Sequence, residues 1–296
     1  MDTIKLREGL SIPTLGYGPD WVRGMPGYRK KRTLMNRVIN KFIITPKYIN
    51  AVSASINNGF RLIDFSASYG TGELIAKAIN KSTCSRKDLV LTTRISNTAQ
   101  FNNSIEKEFE TQLKGFGVEY FDILMFHWPV TGHYEDTWLK MIELKKKGLC
   151  KILGVSNCNI HHLQKLYEIS GEYPEINQVE IHPLFTQKEL IRFCQDNSIQ
   201  VQAYSPTARQ DDRLVNPRLL KEMAKKYEKS ITQLILRWHY QNKVIPIIRS
   251  MNPEHLKSNS EIFDFVISDD DMAKIDALNI NSRMRYDPDN CDFHSL

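Results

Sequence analysis

Polar side chains stand at the ends of several short apolar runs in this chain. They include a carboxylate, a permanent cation, an imidazole, amides and hydroxyls, groups that bind polar ligands and exchange protons. The residues are Asp64, Arg94, His127, Ser156, Asn157, Gln178 and Tyr204. Any one of them alone could simply cap a strand or a helix. Because so many strand ends carry such groups, the pattern predicts one polar site above the carboxyl ends of the strands.

The elements that must position these residues are short apolar runs alternating with helical stretches. We predict strands at 13–17, 60–64, 88–93, 121–126, 151–155, 177–181, 200–204 and 244–248. We predict helices at 47–58, 72–82, 103–116, 134–147, 160–169, 187–197, 216–228, 231–241 and 253–261. Strands separated by helices favour parallel pairing, and eight such units favour a closed (β/α)8 TIM barrel of the α/β class. Residues 2–12 are typical of a hairpin closing the barrel floor, and 1–296 is interpreted as a single domain.

Composition excludes several classes of protein. The chain has 296 residues, 41% of them hydrophobic, and contains no apolar run long enough to span a bilayer. The amino terminus lacks the layout of a secretory signal. Five scattered cysteines without a CxxC pair indicate neither a disulfide framework nor a zinc site. The histidines have no metal-ligand spacing, so we expect no metal, and we expect a cytoplasmic location.

Six motifs, in order along nearly the whole chain, resemble those of the aldo-keto reductases. They are 59–64 with Tyr69 and Gly70, 122–129 around His127, 151–157, 177–180, 203–206 and 248–254. The resemblance implies hydride transfer from a nicotinamide to an aldehyde or ketone carbon. It implies four catalytic residues, namely Tyr69, Asp64, Arg94 and His127.

The resemblance assigns Tyr69 as the acid that protonates the developing alkoxide. A free tyrosine has a pKa of about 10, so a neighbouring positive charge helps it to release its proton. His127 would orient the carbonyl oxygen as a hydrogen-bond donor.

The chain departs from the family where Arg94 replaces the usual lysine. Arginine keeps the charge, but its planar fork places that charge differently, and a bidentate pair with Asp64 could draw it away from Tyr69. Smaller departures are Phe65, where the family has a small residue, and Gly72 and Ala76, where it usually has glutamate and glycine. Pro19 also replaces the threonine that normally follows Gly18. The alternative to a working reductase is therefore a degenerate barrel that binds NADP(H) but serves as a redox-sensing or partner-binding module.

The resemblance also assigns the cofactor and its contacts. The predicted cofactor-binding residues are Ser156, Asn157, Gln178, Tyr204, Ser205, Arg249, Ser250, His255 and Asn259. Arg249 and Ser250 would hold the 2′-phosphate, which favours NADPH over NADH. No GxGxxG motif follows the first strand, so a Rossmann dinucleotide site is not indicated.

The substrate pocket is predicted from residues that follow strand ends. Its walls would be formed by Trp21, Trp128 and Phe185. The segment 286–293 resembles the family's carboxyl-terminal tail, which folds over the open end of the barrel. The partner is a small carbonyl compound, and no nucleic-acid motif is present.

A basic insertion at 22–46 follows the first strand and has no match in the family's usual short loop. The stretch from Val22 to Lys47 holds eight lysines and arginines and no acid, so the net charge of +6 leaves −2 for the rest of the chain. Leu34, Val38, Ile39, Phe42 and Ile43 fall near helical spacing. The insertion is interpreted as a helix packed on the barrel, a lid over an anionic substrate, or a contact for an anionic partner or membrane surface. We expect a monomer or a weak oligomer.

Overall fold

A computed structural model describes residues 2–19, 40–66, 70–215 and 217–295. Eight parallel strands close into a barrel, which confirms the predicted fold class. The strands are β3 (Gly16–Tyr17), β4 (Leu62–Asp64), β5 (Val90–Ile95), β6 (Phe121–Phe126), β7 (Cys150–Ser156), β8 (Ile176–Glu180), β9 (Gln200–Tyr204) and β10 (Ile245–Ile248). β10 pairs with both β9 and β3, and so completes the ring.

The predicted hairpin is present, and it seals one end of the barrel. β1 (Thr3–Lys5) pairs with β2 (Ser11–Pro13) in antiparallel register. Leu6 and Ile12 pack with the inward residues of the barrel strands, such as Leu62, Ile123 and Ile245. This seal leaves the carboxyl ends of the strands as the open end of the barrel.

Helices pack outside the barrel between successive strands. They are α1 (Thr45–Asn57), α2 (Gly72–Lys81), α3 (Asn97–Phe101), α4 (Ile105–Phe116), α5 (Tyr134–Lys146), α6 (Ile160–Ser170), α7 (Lys188–Asp196), α8 (Asp212–Val215), α9 (Arg218–Tyr227), α10 (Ile231–Gln241), α11 (Pro253–Ser260) and α12 (Asp269–Asp276). Their apolar faces form the larger hydrophobic core with the outward residues of the strands. None of the helices in the described ranges combines the length and apolar character that a bilayer crossing requires.

The predictions missed α3, α8 and α12. Both α3 and α12 begin at a serine whose side chain accepts a backbone N–H, Ser96 from Ala99 and Ser268 from Asp271. Such capping serines are helix-start signals, but α3 has five residues and α12 eight, too short for a clear apolar period.

Most of the basic insertion lies outside the described residues. Its last part is a π-helix, Asn40–Ile44, that runs into α1. Phe42 and Ile43, two of the residues at helical spacing, are 66% and 60% exposed. The three interpretations of the insertion therefore stay predictions.

Candidate functional site

A cleft of about 560 Å³ opens at the carboxyl ends of the barrel strands. This volume lies within the range of small-molecule sites. The cleft brings together thirteen residues singled out from the sequence: Asp64, Arg94, His127, Trp128, Ser156, Asn157, Gln178, Tyr204, Ser205, Arg249, Ser250, His255 and Asn259. They come from seven strands and the segments that follow them, so barrel closure is what assembles the site.

Arg94 is the most buried cation of the cleft, with an exposed fraction of 1%. Its Nη2 donates to Asp64 Oδ1 at 2.8 Å and to Gln178 Oε1 at 2.6 Å. Its Nη1 donates to the Phe65 carbonyl at 2.7 Å, and its Nε to Ser156 Oγ at 3.3 Å. Among the described residues the guanidinium thus donates to four acceptors and contacts Asp64 through one nitrogen, whereas the sequence suggested a two-point pair with Asp64.

Two departures from the family pattern compensate each other beneath Arg94. The Phe65 ring packs 4.5 Å from that of Phe116, centroid to centroid. A Cβ at position 72 would lie 2.9 Å from Phe116 and 3.7 Å from Phe65. Gly72 therefore makes room for the aromatic pair, and the pair holds the backbone whose carbonyl accepts from Arg94.

The amide of Asn157 is oriented from two sides. Its Nδ2 donates to the His127 carbonyl at 2.9 Å, and its Oδ1 accepts from the Tyr204 hydroxyl at 2.7 Å. Asn157 has a positive φ of 62°, a conformation that asparagine tolerates better than most residues. The two hydrogen bonds fix the amide and the Tyr204 ring relative to each other at the rim of the cleft.

The amides and hydroxyl beside Arg94 retain unused hydrogen-bonding capacity. Both N–H groups of Gln178 are engaged, by Asp64 and by Gln202, but its oxygen has a second lone pair. Asn157 has a second N–H, and the Ser156 hydroxyl has only a weak acceptor, the Met125 sulfur at 3.7 Å. A primary carboxamide, which needs donors for its oxygen and an acceptor for its NH2, fits this set.

Arg249 and Ser250 lie at the far end of the cleft, between β10 and α11. The Tyr17 hydroxyl donates to the Ser250 carbonyl at 3.0 Å, which ties this segment to the first barrel strand. His255 and Asn259 of α11 line the same end. The first turn of a helix beside an arginine favours an anionic group.

His239 supports the cleft from behind. It is fully buried on α10, and its Nε2 lies 3.1 Å from the carbonyl oxygen of Pro206, a residue of the loop that lines the cleft after β9. A carbonyl can only accept, so Nε2 carries the proton. Burial, which outweighs the hydrogen bond, lowers the pKa of His239 from 6.5 to about 3.

We expect the stability of the protein to fall as the pH drops below 6.5, partly because of His239. Because the pKa of His239 is lower in the folded state, the folded state binds fewer protons than the unfolded state. The stability that neutral His239 contributes is complete above pH 6.5 and is lost as the pH falls towards 3. By pH 4.5 the loss from this one group is about 3 kcal/mol. The variant His239→Gln keeps a donor for Pro206, and its unfolding free energy should approach that of the wild type at pH 4.5. The exposed control His255→Gln should follow the wild type throughout, and parallel curves for wild type and His239→Gln would contradict the assignment.

A second polar cluster, His161, His162 and Asp289, lies at the amino terminus of α6. The Nε2 atoms of the two histidines are 3.2 Å and 3.7 Å from Asp289 Oδ1. His162 Nδ1 accepts from the backbone N–H of Asn159, so the neutral ring carries its proton on Nε2. Burial, and then His161, lower the pKa of His162 to about 4. The Nε2 atom of His162 that faces Asp289 therefore carries a proton and has no lone pair for a metal ion. The contacts of both histidines with Asp289 hold the carboxyl-terminal tail against α6.

Three predicted site residues are not among the described residues that line the cleft. Tyr69 and Trp21 fall outside the described residues. Phe185 does not line the described part of the cleft, because its ring lies beneath the guanidinium of Arg283 at 4.5 Å. This placement does not support Phe185 as a wall of the substrate pocket.

The cleft also contains residues that the sequence did not single out, among them Arg209, Ser230, Thr232 and Arg285. They lie in loops, at a helix start and in the tail. No strand end marks them, and only Ser230 had a local signal, the capping box that it forms with Gln233.

Comparisons with known proteins agree with this geometry. A sequence profile described as the Aldo/keto reductase family matches residues 40–280. The uncharacterized oxidoreductase YtbE of Bacillus subtilis is 43% identical over 83% of this chain and 88% of its own. Glyoxal reductase of Bacillus subtilis is 35% identical, and methylglyoxal reductase DkgA of Escherichia coli 32%, each over 97% of this chain and 96% of its own.

Solved structures share the fold over almost the full length. An aldo/keto reductase from Brucella melitensis superposes with a TM-score of 0.82 at 36% identity, covering 94% of this chain and 100% of that one. An aldo-keto reductase from Bombyx mori, solved in complex with NADP, has a TM-score of 0.83 at 28% identity, covering 97% and 96%.

Proposed function

The chain belongs to the aldo/keto reductase family and is an oxidoreductase acting on carbonyl groups, and from this premise we propose that it reduces small aldehydes or ketones to alcohols with NADPH. The observation that carries the proposal is the cleft itself. One continuous space holds Asp64, Arg94 and His127 together with the amides beside Arg94 and with Arg249 at the far end. A bound NADPH supplies the hydride.

The residues of the cleft fit NADPH along its length. The free capacities of Ser156, Asn157 and Gln178 match the nicotinamide carboxamide, and the half-buried Tyr204 offers an aromatic face beside them. Arg249, with Ser250 and His255, would bind the 2′-phosphate through the charged guanidinium, and Asn259 would contact the adenine. The cofactor is therefore NADP(H).

The proton and the orientation of the carbonyl come from protein side chains. Tyr69 gives its proton to the developing alkoxide, and His127 donates a hydrogen bond to the carbonyl oxygen from the other side. Arg94 supplies positive charge without itself contacting the reacting atoms, and Asp64 holds the guanidinium. Trp128 forms an apolar wall for the substrate.

The test is oxidation of NADPH by glyoxal, by methylglyoxal and by aromatic aldehydes, followed by loss of NADPH absorbance. We expect turnover with several of these compounds and the corresponding alcohol as product. Tight binding of NADPH without oxidation by any of them would instead support the rival function, a binding or sensing barrel in which the four contacts of Arg94 have replaced catalysis.

Arg249→Ala is expected to weaken NADPH binding far more than NADH binding. Only NADPH carries the 2′-phosphate, and loss of a charge-assisted pair costs about 1.5–3 kcal/mol, or roughly 10- to 150-fold in Kd. Fluorescence titration of both cofactors measures the effect. Lys257→Ala, on the helix α11 that follows Arg249 and outside the cleft lining, is the matched control and should alter neither affinity. Equal losses for the two cofactors would place the phosphate site elsewhere.

A further inference from the structure

The cleft carries more positive charge than a single phosphate site requires. Arg209, Arg249 and Arg285 line it together with Arg94. Among the described lining residues the only carboxylate is Asp64, and Arg94 already pairs with it at 2.8 Å. A cleft with this charge balance attracts anions. NADPH brings a pyrophosphate as well as the 2′-phosphate, so the position of each arginine in the cleft decides whether it meets the cofactor or an anionic substrate.

Arg285 reaches the cleft because the tail segment 279–285 lies along the loop that follows β8. The Leu184 carbonyl accepts from the backbone N–H groups of Ile280 at 3.2 Å and of Ser282 at 3.0 Å. The side chain of Asn279 accepts from Thr186 N at 3.1 Å. These contacts give the tail a defined path to the open end of the barrel.

Glu180, at the end of β8, fixes the tail immediately before the cleft. Its carboxylate is buried, with an exposed fraction of 1%, and accepts from the backbone N–H groups of Met284 and Arg285, the latter at 2.8 Å. His182 Nε2 lies 3.0 Å from the same carboxylate. Burial alone would raise the pKa of Glu180, but these hydrogen bonds outweigh it and lower the pKa. Glu180 is therefore an ionised anchor for the backbone of Arg285.

The guanidinium of Arg285 differs from those of the arginines around it. Arg213 forms a 2.9 Å ion pair with Asp211, and Arg283 lies over the Phe185 ring. Arg285 is exposed to the cleft and forms no ion pair with any carboxylate in the described parts of the chain. Its backbone is fixed, while its charge is available to a ligand.

We propose that Arg285, positioned by Glu180, binds the carboxylate of an anionic carbonyl substrate, so that oxo acids and carboxy-substituted aldehydes are preferred over neutral aldehydes. The planar fork of arginine matches a carboxylate at two points. Glu180 is the register partner of Tyr204, which places Arg285 at the β8–β9 side of the cleft, apart from Arg249 after β10. The inference rests on the proposed function, because it concerns the substrate of that same site.

The test compares 4-carboxybenzaldehyde with 4-nitrobenzaldehyde, which differ in charge but little in shape. For Arg285→Gln we expect kcat/KM for the carboxy compound to fall at least about tenfold, mostly through KM, and that for the nitro compound to stay within about twofold. Arg283→Gln removes the same charge from the same tail and should leave the preference unchanged. Arg285→Lys should restore part of it.

Three outcomes would overturn the proposal. An unchanged preference in Arg285→Gln would show that Arg285 does not contact the substrate. Equal losses on both aldehydes, with a higher Kd for NADPH, would assign Arg285 to the phosphates of the cofactor. Binding of benzoate to the NADPH-loaded protein separates this inference from the proposed function. It should weaken in Arg285→Gln even where no aldehyde is reduced, and equal affinity in both proteins would again overturn the inference.

Discussion

Replacing Tyr69 with phenylalanine is expected to lower the rate of carbonyl reduction at least about 100-fold, the usual contribution of a positioned general acid. In the proposed mechanism the phenol acts when the alkoxide develops and not in cofactor binding, so the Kd for NADPH should change by no more than a few-fold. Steady-state turnover with an aldehyde that the wild type reduces, together with titration of NADPH, measures both quantities.

The matched control for Tyr69 is Tyr286→Phe, which removes a phenol from the exposed tail. We expect turnover close to that of the wild type in this variant. If Tyr69→Phe also turned over at a near wild-type rate, the proton would have to come from another donor, and the assignment of the acid would be wrong.

The barrel core and much of the cleft were predictable because closure imposes a strict rule on side-chain direction. In a strand such as β5 alternate residues face inward, so Val90 lies in the inner core and Arg94, four residues later, faces the cleft at the strand end. The same alternation brings Gln178 on β8 to the cleft. Once the strand ends are predicted from the sequence, the polar side chains that meet at the open end of the barrel can be predicted too. This holds even for residues that are far apart in the chain.

Residues in the loops and the tail follow no such rule. Arg285 depends on hydrogen bonds to Glu180, and Phe185 is covered by a neighbouring arginine of the tail. These contacts join segments about a hundred residues apart without a repeating pattern, so local periodicity carries no information about them. The four-point engagement of Arg94 was also hidden, because one of its acceptors is the backbone carbonyl of Phe65.

Removing the charge of Arg94 is expected to impair both activity and stability. Arg94→Met removes the positive charge that the proposed mechanism uses to help Tyr69 release its proton, and turnover should fall at least tenfold, which corresponds to about 1.4 kcal/mol. It also leaves Asp64 buried without its ion-pair partner, a change that typically costs about 3–5 kcal/mol of stability. Thermal unfolding must therefore be measured with the kinetics.

The double variant Asp64→Asn/Arg94→Met separates the two effects. It removes both members of the buried pair, so most of the lost stability should return while turnover remains at least tenfold below the wild type. Recovery of turnover together with stability would show that the charge of Arg94 has no role in the chemistry.

Arg94→Lys should retain turnover within about tenfold of the wild type, because a compact ammonium can sit beside Asp64 and still act on Tyr69. A single ammonium cannot reach the Phe65 carbonyl, Ser156 Oγ and Gln178 Oε1 together with Asp64, so buried acceptors lose a donor and we expect about 1–3 kcal/mol of lost stability. In Arg94→Lys the Gln178 oxygen no longer accepts from Nη2 and can accept from the carboxamide of the cofactor. The affinity for NADPH is therefore a third readout, and we expect it to be unchanged or higher. If Arg94→Lys folds and binds NADPH but loses turnover as fully as Arg94→Met, the site works only with the guanidinium. In that case arginine has been built into the mechanism at this position and does not merely substitute for lysine.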